Sequence, residues 1–159
     1  MIFVAVGTQK FPFNRLLSQI DTLLETGVLN EPVFAQIGHS TYQPIHYRFT
    51  EFMDKEAFDA QVAACDLLIT HSGVGTIISG LTQTKPVIVV PRLAQYGEHV
   101  DDHQLEIATS FAEKNFVVLC SRIEDLAQAI SQARTTVFAQ YQSQRATVTQ
   151  TIQDYLDTL

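Results

Sequence analysis

The run HSGVGT, residues 71–76, places a histidine, two hydroxyls and two glycines between an apolar segment and a helical pattern. Gly73 and Gly75 allow unusual backbone torsions and the close approach of a ligand. The free N–H groups at the start of a helix carry a partial positive charge, and several of them together can hold a diphosphate. The run matches neither GxGxxG nor the P-loop, so an ordinary tight turn remains the alternative.

Two further segments carry polar groups at comparable places. Gly7 and Thr8 directly follow the first apolar run of the chain. Residues 96–104, YGEHVDDHQ, combine carboxylates, imidazoles and a carboxamide, which suit sugar hydroxyls because they donate and accept together. One of Asp101 and Asp102 is expected to cap the helix that follows.

Neither a metal centre nor a nucleophilic triad is predicted. His99 and His103 are four residues apart, but no third ligand lies at a spacing typical of zinc sites. Ser72 lies outside the GxSxG pattern of a nucleophile elbow.

Short apolar runs alternate with amphipathic runs, which is the pattern of β–α–β units. The sequence predicts strands over 2–6, 33–37, 46–52, 66–70, 87–90 and 116–119, and helices over 13–24, 55–64, 76–83 and 101–114. Nearly continuous apolar strands favour a sheet covered on both faces. We therefore expect an α/β domain with a doubly wound, mostly parallel, Rossmann-like sheet, whose ligands bind at the carboxyl ends of the strands.

The last part of the chain has a different pattern. Apolar or aromatic positions and one arginine alternate at separations of three and four residues, at Phe138, Tyr141, Arg145, Val148, Ile152, Tyr155 and Leu159. This spacing predicts an amphipathic helix within 134–159. Such a helix packs either on its own domain or on a partner, and the spacing favours neither.

Composition excludes several classes of protein. With 159 residues, 46% hydrophobic and 17% charged, the chain can build a core, which excludes a disordered chain and a disulfide mini-protein. The net charge of −7 argues against nucleic-acid binding. Two isolated cysteines, no signal-peptide pattern and no bilayer-spanning apolar run predict a cytoplasmic protein.

The motifs VGT, EF, HSGxGT, KPxIVVP and DxHQ follow one another in this order within residues 1–130. In this combination the chain resembles the donor-binding lobe of glycosyltransferase family 28. It is most similar to the single-lobe subunits of bacterial exopolysaccharide and capsule glycosyltransferases. These resemble the catalytic subunit of the bipartite N-acetylglucosaminyltransferase of dolichol-linked oligosaccharide synthesis.

The resemblance implies a single GT-B lobe that binds a UDP-sugar as donor substrate, with no cofactor and no metal. The donor-binding residues that it implies are Gly7, Thr8, Phe52, Met53, His71, Ser72, Gly73, Val74, Gly75, Thr76, Ser79, Arg92, Asp102, His103 and Gln104. Thr8 and the 71–76 run fall at the diphosphate, the backbone of residues 52–53 at the uracil, and residues 102–104 at the sugar.

Two positions depart from the pattern of the two-lobed relatives. Ser79 stands where they carry an acidic residue that binds the ribose. His71 stands where they have arginine, so a fixed positive charge is lost. Arg92, at the end of the fifth strand, is expected to restore that charge.

The resemblance also implies an activity and a partner. The chain is expected to be a hexosyltransferase subunit that transfers, with inversion, a sugar such as galactose, glucuronic acid or N-acetylglucosamine to a lipid-diphosphate-linked acceptor. A membrane-anchored subunit would supply the acceptor lobe and recruit the chain to the inner face of the membrane. Glu98 and His99 are candidates for the general base, with the partner as the alternative source.

The chain is accordingly divided into a nucleotide-sugar-binding domain, residues 1–133, and a helical docking element, residues 134–159. A homo-oligomer is also left open. A non-catalytic UDP-sugar-binding subunit is the main alternative, because Ser79 replaces the acidic residue. A sugar-nucleotide epimerase would need a second lobe, and a Rossmann dehydrogenase would carry GxGxxG after the first strand instead of GTQKFP.

Overall fold

The computed structural model describes residues 1–142. The strands are β1 (Ile2–Ala5), β2 (Val33–Gln36), β3 (Arg48–Thr50), β4 (Leu67–Thr70), β5 (Val87–Val89) and β6 (Val118–Leu119). The helices are α1 (Asn14–Glu25), α2 (Lys55–Ala64), α3 (Val74–Thr82), α4 (His103–Glu113) and α5 (Leu126–Thr135). Two short 3₁₀ turns, Ala94–Tyr96 and Ile123–Asp125, precede α4 and α5.

The six strands form one sheet in the order β3-β2-β1-β4-β5-β6, and every neighbouring pair is parallel. The strand order reverses at β1, which pairs with β2 on one side and with β4 on the other. Ala5, Gln36 and Thr70 lie in register, so three strands end at the same edge. The predicted doubly wound α/β sheet is confirmed, and its switch point lies between β1 and β4.

Alternate residues of the strands pack into two cores, one on each face of the sheet. On one face Ile2 and Val4 contact a core that includes Leu16, Leu17 and Ile20 of α1. The other face carries Phe3, Ala5, Leu68 and Val87 against Val62 of α2 and Ile77 of α3. Each large apolar side chain buried in this way stabilises the fold by about 1.5–3 kcal/mol.

Helix starts differ from the prediction in two places. Helix α3 begins at Val74 rather than at 76, because Gly73 takes an extended conformation at its N-cap. Helix α4 begins at His103 rather than at 101. The carboxylate of Asp101 accepts a hydrogen bond from the His103 N–H at 3.0 Å, which holds a turn before the helix.

The predicted helix over 134–159 is wrong for the part that the structure describes. Helix α5 ends at Thr135, Thr136 is extended, and residues 136–142 are not helical. Phe138 packs on the core, and Tyr141 lies edge-on against Phe116 with ring centroids 5.4 Å apart. The remaining positions of the predicted seam, Arg145, Val148, Ile152, Tyr155 and Leu159, lie outside the described residues. Within residues 1–142, no helix is long and apolar enough to cross a bilayer.

Candidate functional site

A cleft of about 410 Å³ opens at the switch point, where β1, β2 and β4 end. Its walls come from the loops after β1 and β4, the segment before α2 and the first turn of α3. The lining residues are Gly7, Thr8, Gln9, Gln36, Phe52, Met53, Lys55, Phe58, His71, Gly73, Gly75 and Thr76. In doubly wound sheets, ligands bind at this place.

The cleft brings together residues that the sequence placed in one site although they are more than sixty positions apart. Gly7 and Thr8 face the 71–76 run across the switch point, and Phe52 and Met53 form the third side. Ser72 is also at the end of β4 but is buried, and its hydroxyl has no hydrogen-bond partner within residues 1–142. Val74 is the first residue of α3 and is 45% exposed.

The start of α3 supplies hydrogen-bond donors to the cleft. The first N–H groups of a helix have no partner within it, and no side chain caps α3 at Gly73. The Ser79 hydroxyl is not such a donor, because it donates to the Gly75 carbonyl at 2.9 Å. Within the described part of the chain, the site thus has free backbone donors at the start of α3, while the Ser79 hydroxyl is bonded within the helix.

His71 lies on the floor of the cleft, only 5% exposed, with its imidazole between Gly7 and Gly73. A Cβ added at Gly73 would lie 2.5 Å from His71 Nε2, and one added at Gly7 would also meet this atom. Gly7 in addition has a φ of 82°, which favours glycine. Burial, and next the positive charge of Arg92, lower the pKa of His71 to about 3. The imidazole is therefore uncharged at neutral pH.

Arg92 does not reach the cleft, which corrects the expectation that it restores a positive charge at the ligand. Its side chain is fully buried. The guanidinium donates to the backbone carbonyls of Val6, Phe11 at 2.8 Å and Glu98 at 3.3 Å. Burial lowers the pKa of Arg92 to about 10, so the group stays charged at neutral pH. Arg92 thus holds the loop after β1 in place.

Glu98 is not a free base, which corrects its assignment as a candidate. It is 3% exposed. Its two carboxylate oxygens accept from Arg15 Nε and Nη2, both at 3.0 Å, and one also accepts from the Leu93 N–H at 3.1 Å. His99 is partly exposed, with Nδ1 3.1 Å from Asp101 Oδ1. It is the remaining candidate of the two.

The predicted sugar-binding residues divide into two kinds. Asp102 is exposed and accepts from the Ala94 N–H at 2.9 Å. His103 is exposed, and its Nδ1 lies 3.1 Å from Glu106 Oε2. Gln104 is only 4% exposed, and its carboxamide oxygen accepts from the N–H groups of Ser72 and Arg92, in the loops after β4 and β5. None of these three side chains lines the cleft in this conformation.

Four lining residues are not among the predicted donor-binding residues: Gln9, Gln36, Lys55 and Phe58. Gln36 is a buried polar residue in an apolar strand, and its Nε2 donates to the carbonyls of Gly7 and Glu51. A glutamine within an otherwise apolar strand is the feature of the sequence that could have indicated this role. Lys55 begins α2 and adds a positive charge that no spacing pattern indicated.

Comparison with known proteins assigns this arrangement to a family. The profile described as the glycosyltransferase family 28 C-terminal domain matches residues 1–159. The UDP-N-acetylglucosamine--N-acetylmuramyl-(pentapeptide) pyrophosphoryl-undecaprenol N-acetylglucosamine transferase of Prochlorococcus marinus is 33% identical over 90 residues, which are 54% of this chain and 24% of that protein. The human UDP-N-acetylglucosamine transferase subunit ALG13 is 28% identical over 127 residues, covering 76% of this chain and 11% of its own.

The fold is also similar to that of a solved structure. The crystal structure of MurG from Acinetobacter baumannii superimposes with a TM-score of 0.56 and 21% identity, over 84% of this chain and 41% of that chain. The expected single GT-B lobe is thereby confirmed. The chain spans about a quarter or less of the length of these two sequence relatives.

Proposed function

Because the chain belongs to the family of glycosyltransferase family 28 C-terminal domains, we propose that it binds the UDP-sugar donor of a glycosyl transfer reaction. The observation that carries this proposal is the shared cleft of the β1 loop, the uncapped start of α3 and the uncharged His71. The N–H groups of α3 and the hydroxyls of Thr8 and Thr76 are donors suited to a diphosphate. Lys55 adds a cation at the rim.

The other end of the cleft fits a nucleobase. Phe52, Met53 and Phe58 give it an apolar wall, and Phe52 is 44% exposed. An aromatic ring at a cleft mouth offers a flat surface for a base. We place the uracil here, in agreement with the expectation from the family motif, and the diphosphate between Thr8 and α3.

We infer the reaction from the family to which the chain belongs, together with the proposed placement of the diphosphate. An acceptor hydroxyl attacks the anomeric carbon, the bond from that carbon to the diphosphate breaks, and the configuration inverts. The donors at α3 and His71 stabilise the charge on the departing UDP. The proton of the acceptor passes to a general base, which we assign to His99 or to a partner subunit, since Glu98 is paired with Arg15.

The acceptor and the partner are inferred from the relatives. The bacterial relative is named for a pyrophosphoryl-undecaprenol acceptor, and the human relative is named as a transferase subunit. We propose a lipid-diphosphate-linked acceptor in exopolysaccharide or capsule synthesis. A membrane-anchored partner would supply the acceptor lobe and recruit this chain to the membrane.

The first test is calorimetric titration of the chain with UDP, and with ADP, GDP and NAD as controls. Selective binding of UDP is expected, with a Kd of about 0.1 mM. Thr76→Val removes a hydroxyl from the cleft at nearly constant volume and should weaken binding about three- to tenfold. Thr109→Val is the matched control, because the Thr109 hydroxyl lies on α4, away from the cleft, and donates to the Leu105 carbonyl. Equal binding of NAD and UDP would contradict the proposal.

A second candidate is a subunit that binds the UDP-sugar without catalysing transfer. The pairing of Glu98 with Arg15 favours it, because it removes one of two candidate bases from this chain. His99→Gln, measured in the complex with the partner, tests whether this chain supplies the general base. Loss of turnover with unchanged UDP affinity indicates that this chain supplies the base, whereas unchanged turnover leaves the base to the partner.

A further inference from the structure

Gln104 occupies a central position among the loops that surround the cleft. It lies on the first turn of α4 and is only 4% exposed. Its Oε1 accepts from the Ser72 N–H at 3.2 Å and from the Arg92 N–H at 3.0 Å. Its Nε2 lies 3.2 Å from His71 Nδ1. One carboxamide therefore connects the loop after β4, the loop after β5 and the imidazole.

These contacts determine the orientation of the carboxamide. Two backbone N–H groups point at one of its atoms, and only the oxygen can accept from both. The amide nitrogen must then face His71, where it can only donate. His71 Nδ1 consequently accepts a hydrogen bond, and the single proton of the uncharged ring is on Nε2. This is the atom next to Gly7 and Gly73, on the floor of the cleft.

We propose that Gln104 is a positioning residue that keeps His71 in the Nε2–H tautomer, so that an uncharged imidazole donates a hydrogen bond to the diphosphate of the donor. The inference rests on the proposed function. It differs from the expectation that Gln104 contacts the sugar, because both ends of its side chain are already bonded within the protein.

The surroundings of His71 keep the ring uncharged. Arg92, from the loop after β5, and His99, from the loop before α4, both disfavour a second positive charge, and burial does so more strongly. Lys55 lines the same cleft from α2. Gly7, Thr8 and Gln9, which line the cleft from the β1 loop, do not titrate near neutral pH. Phosphate binding through His71 should therefore not depend on protonating the ring near neutral pH.

The test uses Gln104→Glu and two readouts. The first is nitrogen NMR of the ligand-free protein, which distinguishes protonated from unprotonated ring nitrogens. In the wild type, His71 Nδ1 should be unprotonated and Nε2 protonated. In Gln104→Glu, one oxygen still accepts from Ser72 and Arg92, but the other cannot donate, so Nδ1 should become protonated. A protonated Nδ1 in the wild type, or no change in the variant, would overturn the proposal.

The second readout is the affinity for UDP-N-acetylglucosamine between about pH 6 and pH 8, where its esterified diphosphate does not titrate. Wild-type affinity should be constant over this range. In Gln104→Glu the affinity should fall as pH rises, by about ten- to a hundredfold, as Nε2 loses its proton and turns a lone pair toward the phosphate. The same pH dependence in both proteins would overturn the proposal.

Two controls separate the possible failures. His71→Gln combined with Gln104→Glu should abolish the pH dependence, and its persistence would place the titrating group elsewhere and refute the role of His71. Absence of binding of UDP-N-acetylglucosamine, UDP-galactose and UDP-glucuronic acid alike to the wild type would overturn the proposed function and the ligand half of this inference. The wild-type NMR result, which requires neither variant nor ligand, would still decide which tautomer His71 adopts.

Discussion

The fit of His71 between two glycines leads to a prediction about Gly73→Ala. The new methyl group would lie 2.5 Å from His71 Nε2, and the imidazole is held from behind by Gln104. We expect a destabilisation of about 1–3 kcal/mol from overpacking and loss of UDP affinity as the ring is displaced. Urea unfolding and calorimetry measure the two effects.

Gly75→Ala is the matched control for stability. It lies two residues further along, in the first turn of α3, and an added Cβ meets no atom of residues 1–142 within 4 Å. A helical Gly→Ala change stabilises by about 0.5–1 kcal/mol. If Gly73→Ala is as stable as Gly75→Ala, the imidazole is not confined as described.

The uncharged state of His71 makes stability depend on pH. Burial, followed by the charge of Arg92, lowers its pKa to about 3 in the folded protein, against about 6.5 in an unfolded chain. The unfolded chain therefore binds more protons between these values, and the free energy of unfolding decreases as pH falls below about 6.5.

The expected result is that His71→Gln flattens this decrease between about pH 4.5 and 6.5. Urea unfolding at a series of pH values measures it. His39→Gln serves as control, because His39 is exposed and contacts Phe52 at the surface. A slope in His71→Gln equal to that of the wild type would show that another group is responsible.

Helix α1 and the segment that follows β2 are joined by one buried carboxylate. Asp21, 3% exposed, accepts from the Tyr42 hydroxyl at 2.6 Å and from the N–H groups of Ile45 and His46, both at 2.8 Å. Three donors on one carboxylate fix this connection against the helix.

Asp21→Asn should destabilise the fold by about 1–3 kcal/mol, because the amide nitrogen cannot accept and leaves a partly buried donor without a partner. Chemical denaturation measures the change. Glu25→Gln, on the exposed end of the same helix, is expected to change stability by less than about 0.5 kcal/mol. Equal effects of the two variants would contradict the role assigned to Asp21.

Elements with a strong local pattern could be predicted from the sequence, and long-range pairings could not. Helix α2 was predicted at its observed bounds, and the apolar runs of β1, β4 and β5 marked their strands within one residue. The position of the cleft could also be predicted, because the carboxyl ends of parallel strands lie at one edge of the sheet. Glu98 was misassigned since its partner, Arg15, is 83 residues away. The role of Arg92 could not be predicted, because its guanidinium bonds to backbone carbonyls, and every residue type carries one.

The C-terminal pattern illustrates the same limit for a whole element. A spacing of three and four describes a seam but not the surface that it contacts. Phe138 and Tyr141 belong to the seam in sequence, yet they pack on the domain from a non-helical segment. The tertiary contacts with Phe116 and the core outweigh the local preference.

At the scale of the whole molecule, we propose that the donor binds at the carboxyl edge of the sheet and that the partner docks on residues 143–159. Deleting residues 143–159 retains Phe138 and Tyr141 and should leave the domain folded, with unchanged UDP affinity. Co-purification with the membrane-anchored partner should be lost. Deleting residues 137–159 is the contrasting variant and should lower stability, because it also removes both aromatic contacts. Retained co-purification of the shorter deletion would refute docking through 143–159.

The place of β1 in the sheet has a consequence for synthesis on the ribosome. This strand pairs with β4, and Ile2 lies opposite Leu67. At about 5–20 residues per second, the strand is made several seconds before the partner that encloses it. The apolar run Ile2–Ala5 stays open to chaperones during that interval. Slowing translation just before β4 should therefore lengthen chaperone occupancy of the nascent chain, whereas slowing it after β6 should not.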